Sequence, residues 1–183
     1  QNTPALYLEN TSPPSLIATK GFFQLPDRVM RFLLASRLSY ILKGFSFLAK
    51  IHARQLEELV HGLFEFYQRK GGLPNSAEMA KKIKSSLSRK TRKALDPMIA
   101  TYLERNIQID YEKYMIQIEE GAFRTGLLFS NSLKASLTGL KEYYQLQESL
   151  KEILKKNPLF QRFILYGISS EYLALRKSLG LSV

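Results

Sequence analysis

The chain has 183 residues, 45% of them hydrophobic, with eleven Phe, ten Tyr and no cysteine, and its formal charge is 27 minus 16, or +11. That apolar content excludes wholesale disorder, and the missing thiols exclude disulfides and thiolate-bound metals. No apolar run approaches the roughly 18 residues of a membrane span; the expectation is a soluble chain, cytoplasmic before secreted, whose positive excess favours polyanionic partners.

Residues 1–26 carry Pro4, Pro13, Pro14 and Pro26 among small polar residues and show no helical period. They read as an extended N-terminal arm in which Ala5–Leu8 makes at most a short extended piece. Leu6, Tyr7, Leu8, Leu16, Ile17, Phe22 and Phe23 are too apolar for an idle tail, so the arm is expected to dock, on its own domain or on a protein partner. Residues 27–183 then form the helical domain. Starting at Gln1, the chain reads as a mature form or a fragment.

Pro26-Asp27 opens a helix over 27–43 whose apolar residues surround most of the circumference, a pattern that belongs in a core. Arg37 projects from its apolar side and needs a polar partner unless it reaches water. After Gly44 a second helix runs to about Lys70, with Leu56, Leu59, Val60, Leu63 and Tyr67 as its inner stripe and Phe64 and Phe66 widening it.

Gly71-Gly72 and Pro74 break that helix, and Asn75 or Ser76 caps the next. Between Glu78 and Asp96 stand Lys81, Lys82, Lys84, Arg89, Lys90, Arg92 and Lys93 without one acid. On a single helix over 76–95, Met79, Ala80, Ile83, Leu87, Ala94 and Leu95 share a stripe of roughly 160°. Lys81, Lys82, Arg89, Arg92 and Lys93 gather opposite, and Lys84 and Lys90 flank the stripe. Like charges crowded on one face repel, and an anionic partner relieves the repulsion. Nucleic-acid phosphate is the commonest such partner. Asp96-Pro97 is expected to start a new short helix reaching Arg105.

Residues 107–118 alternate as a small β-hairpin would, yet Tyr111, Tyr114, Met115 and Ile118 also fit a helix capped by Asp110. The helix is the preferred reading. Gly121, Gly126 and Gly139 punctuate a segment read as one long helix with small residues at a close crossing. Leu146 to Leu154 give an amphipathic helix stopped by Asn157-Pro158, and Phe160 to Leu175 a last one fraying at Gly180.

Residues 54–83, RQLEELVHGLFEFYQRKGGLPNSAEMAKKI, resemble the opening of bacterial winged-helix repressors of the LexA kind. Ala77-Glu78-Met79-Ala80 matches that family's short helix. The resemblance implies recognition residues within Ser88–Leu95 and a wing over Ile107–Ile118. The chain departs from the pattern three times: Lys84-Ser85-Ser86 has no glycine turn, Asp96-Pro97 interrupts the recognition helix, and the wing turn is unmarked. No family membership is read from it.

Catalytic signals are sparse. His52 and His61, nine residues apart on one helix, point to opposite sides and share no metal. Glu58-Leu59-Val60-His61 has the Glu-x-x-His spacing of carboxylate di-iron bundles but no second copy, so Glu58 and His61 read as a surface pair. Glu119 and Glu120 are adjacent and face different ways. No phosphate-binding glycine loop or nucleophile elbow occurs. The sequence therefore predicts an all-α domain of six to eight helices that is not an enzyme and needs no cofactor. It binds nucleic acid or another polyanion through Lys81, Lys82, Lys84, Arg89, Lys90, Arg92 and Lys93. The alternative is a structural or adaptor subunit that uses the arm for protein contacts.

Overall fold

Alternation shapes the N-terminal arm. Strands β1 (Leu6–Glu9) and β2 (Ser15–Ala18) pair antiparallel, with Leu6 opposite Ala18, Tyr7 opposite Ile17 and Leu8 opposite Leu16. The two-residue period sends Leu6, Leu8, Leu16 and Ala18 inward, while Tyr7 and Ile17 stand exposed on the other face. A 3-10 turn at Lys20–Gln24 then buries Phe22. The computed structural model describes residues 3–68, 76–105 and 108–181. Within them are nine α-helices and this one hairpin, an all-α fold with an N-terminal arm.

The chain divides into two compact units, residues 1–49 with 117–183, and residues 50–116. In the first unit the arm is followed by α1 (Asp27–Leu42), the latter part of α5 (Tyr111–Ser130), α6 (Leu133–Tyr143), α7 (Leu150–Lys156), α8 (Pro158–Gly167) and α9 (Ser170–Ser178). Helix α1 is central as its apolar girth predicts, although Leu42 remains exposed. Its Phe32 is fully buried, stacks on Phe123 at 6.0 Å and meets Phe163 edge-on. The ring lies where Gly126 of α5 and Gly139 of α6 leave room, since a Cβ on either glycine would collide with Phe32. The predicted close crossing of small residues is thus present.

The predicted long helix is not. Asn131 takes φ of 51° and Ser132 caps α6 by accepting from the Ala135 amide at 3.2 Å, so the segment becomes two helices. Serine oxygens that satisfy a helix's first amides make such a break inexpensive. The same device splits the predicted last helix, where Ser169 caps α9 after α8 ends. Asn157-Pro158 both stops α7 and starts α8, with Asn157 accepting from the Leu159 amide. Among the described residues Arg37 forms no ion pair with a carboxylate; its guanidinium stacks on Tyr143 at 4.3 Å. Glu119 accepts from the Tyr143 hydroxyl at 3.3 Å, whereas Glu120 pairs with Arg162 at 2.7 Å, so the adjacent acids do serve different neighbours.

The second unit holds α2 (Ala53–Gln68), α3 (Ser76–Ser86), α4 (Arg89–Glu104) and the start of α5. A helix begins at Tyr111 with Asp110 accepting from the Lys113 amide at 2.9 Å, which corrects the possible hairpin at 107–118. Ile107 of that hairpin lies outside the described residues, as do the predicted break at Gly71-Gly72-Pro74, the Asn75 cap and the helix end at Lys70. Among the described residues no helix is long and apolar enough to cross a membrane.

Candidate nucleic-acid interface

Helix α3 seats on α2 at Gly62, where a Cβ would come within 2.5 Å of Met79 Cγ and 3.2 Å of Ile83 Cδ1. Met79, Ala80 and Ile83 therefore face inward, and the 3.6-residue period turns Lys81, Lys82 and Lys84 outward. The predicted single helix over 76–95 is broken. The Ser85 and Ser86 hydroxyls both donate to the Lys82 carbonyl at 2.8 Å, competing with the backbone at the end of α3. Ser88 then restarts the chain, its oxygen accepting from the Thr91 amide at 3.1 Å. Ala94, assigned to the apolar stripe, is exposed on α4.

Pro97 starts no helix; it lies inside α4. A proline there removes an amide and frees the carbonyl four residues earlier. Lys93 and Pro97 are both exposed, so water can take up the freed Lys93 carbonyl. The Thr101 hydroxyl donates to the Pro97 carbonyl at 2.9 Å.

The seven predicted cations divide into three roles. Arg92 folds back over the elbow between the helices: its Nε donates to the Leu87 carbonyl at 3.1 Å, its Nη2 to the Lys84 carbonyl, and its guanidinium lies 5.6 Å from the Phe66 ring centre. The Tyr67 hydroxyl donates to the Arg92 carbonyl at 2.8 Å, tying the same turn to α2. Arg92 is a clamp. Lys82 pairs with Glu78 at 2.8 Å, and this hydrogen bond holds the Glu78 carboxyl below its ordinary range and the Lys82 ammonium above its own. Lys81, Lys84, Arg89, Lys90 and Lys93 are exposed and, among the described residues, form no ion pair. Arg89 and Lys90 occupy the first turn of α4, which contains no acid. Cations are disfavoured at that end of the helix dipole.

The other end of α4 carries a feature that sequence reasoning missed. Glu57, His61 and Phe64 of α2, Tyr102 and Leu103 of α4, and Gln108, Ile109 and Tyr111 line an open cleft of about 350 Å³. Phe64 and Tyr102 stack with ring centres 5.0 Å apart, and His61 meets Phe64 edge-on at 6.0 Å. Burial, then the nearby Tyr102 and Glu57, pushes the Tyr111 hydroxyl up to about 12. The available signal was the spacing of Glu57, His61 and Phe64, which places them along one side of α2. His61 thus belongs to the cleft, while Glu58, expected to pair with it, reaches Arg54 at 3.3 Å. Among the described residues no cluster of His, Asp and Glu could hold a metal ion.

No protein-family model matches the chain, and no curated protein or solved structure matches it. The residues described over 108–118 contain no strand where the repressor resemblance implied a wing.

Proposed function

We propose that the second unit binds nucleic acid through the exposed cations of α3 and of the first turns of α4. The supporting observation is the set of five side chains Lys81, Lys84, Arg89, Lys90 and Lys93, exposed and, among the described residues, without carboxylate partners, two of them in a helical turn where positive charge is unfavourable. An anion lying over the elbow relieves both their mutual repulsion and the clash with the helix dipole. Lys82 contributes after giving up Glu78, and Arg92 acts indirectly by fixing the angle at which the two helices present their cations.

Salt dependence tests this directly. Each phosphate contact adds about −0.9 to the slope of log affinity against log salt for duplex DNA, and about −0.7 for a single strand. Lys84→Glu with Lys93→Glu should weaken binding and flatten the slope by about 1.4–1.8, two contacts' worth. If that double variant binds nucleic acid like the parent with the same slope, the surface is misassigned.

A further inference from the structure

The basic elbow and the aromatic cleft belong to the same unit, and both are built on α4. We infer that they are two halves of one site for single-stranded nucleic acid: the cations hold phosphates and the cleft takes one unstacked base. This inference rests on the polyanion reading above.

Three observations carry it. The first is the chemistry of the cleft. Its walls offer the face of the Phe64–Tyr102 stack and the half-buried Tyr111 ring, to which a base of any sequence can add by stacking. Glu57 is the carboxylate in its lining. A carboxylate repels phosphate but accepts hydrogen bonds from the exocyclic amine of a base, as it does from cytosine. The cleft is therefore suited to a base and unsuited to the backbone, and the elbow has the opposite preference.

The second is separation. Nine residues part Lys93 from Tyr102, about 13.5 Å at 1.5 Å per helical residue. That span is well within the roughly 4–16 nucleotides engaged by known single-strand grooves. The third is direction. Arg89, Lys90 and Lys93 lie on the exposed face of α4, whereas Tyr102 is half-buried on its other side. A strand that uses both has to turn around the end of the helix. Duplex DNA, with a persistence length of about 50 nm, does not bend on that scale; a single strand does.

The test uses the full chain and fluorescence anisotropy with labelled short oligo(dC), labelled oligo(dT) of equal length, a duplex, and heparin as a polyanion without bases. The parent should bind oligo(dC) more tightly than oligo(dT), because thymine has no exocyclic amine, and either more tightly than the duplex. Tyr102→Leu should weaken oligo(dC) binding by about 5–150-fold, the range expected for one stacked base, and leave heparin binding unchanged. Glu57→Gln should reduce the preference for dC over dT. Unchanged oligo(dC) affinity in Tyr102→Leu overturns the inference, while continued heparin binding keeps the polyanion reading. Failure of the parent to bind any probe removes both. Equal losses for heparin and oligo(dC) indicate a damaged fold in Tyr102→Leu. The dC/dT preference of Glu57→Gln then decides: if it equals the parent's, the base does not enter the cleft.

Discussion

Two glycines on one helix give opposite predictions for the same substitution. A Cβ at Gly126 would lie 2.7 Å from the Phe32 carbonyl oxygen and 2.8 Å from its ring, and would collide with the Ser36 hydroxyl. The carbonyl belongs to helical backbone and cannot rotate away, and the ring is fixed between Phe123 and Phe163. Among the described residues a Cβ at Gly121 would meet the Lys43 ammonium alone, at 3.8 Å, an ordinary contact with the end of a flexible chain. Both Gly→Ala changes gain about 0.5–1 kcal/mol of helix propensity. Overpacking costs about 1–3 kcal/mol in a filled core, and at Gly126 the obstructing backbone atom favours the upper part of that range. Gly121→Ala should thus stabilise the protein by about 0.5–1 kcal/mol, and Gly126→Ala should destabilise it by about 1–2 kcal/mol net. For a chain of this size a kcal/mol moves the midpoint by about 2–4 °C. Helical circular dichroism on heating should then show Gly121→Ala melting slightly above the parent and Gly126→Ala below it, separated by several degrees. If the two variants shift the melt in the same direction by the same amount, Phe32 does not pack against α5 as described.

Replacing Arg92 by Met removes charged donors from the Leu87 and Lys84 carbonyls, a loss of about 1.5–3 kcal/mol for hydrogen bonds to a charged group. Urea unfolding should record that loss while the salt slope of nucleic-acid binding stays at the parent value. A flattened slope with unchanged stability would show that Arg92 contacts phosphate instead. Tyr111 keeps its proton to about pH 12 against an ordinary 10.0, so between those values the folded state holds more protons than the unfolded one and stability falls as pH rises. Tyr111→Phe should lose stability less steeply across that window, and a phenolate absorbance titration should show one late-titrating group fewer than the parent, whose buried Tyr40 and Tyr144 are raised as well. Equal slopes in parent and variant refute the assignment.

The candidate site was partly legible. Charge segregation on residues 81–93 follows from the period of Met79, Ala80 and Ile83, and on α3 the lysines do point away from that stripe. The role of Arg92 was not legible, because its partners are carbonyls at Lys84 and Leu87 that face it only once the chain bends between them. The aromatic cleft was hidden for a similar reason. Phe64 reads as one more residue widening an apolar stripe until Tyr102, 38 positions later, is stacked upon it.

What the sequence determined by itself was the helical class, the small residues at the Phe32 crossing, the cap at Asp110 and the cationic character of α3. Each rests on contacts within a few residues, or on a periodicity that any amphipathic helix must obey. Asn157-Pro158 marks its boundary locally, but three other breaks were decided only by the tertiary structure. The apolar pattern continues through Leu87-Ser88, Asn131-Ser132 and Ile168-Ser169, yet serine caps restart the helix at each place. Pro97 shows the converse, because a local breaker is tolerated on an exposed stretch of helix, where both Lys93 and Pro97 are open to water. A helix boundary is a small difference between nearly equal local energies, and packing of each segment against its neighbours determines the sign.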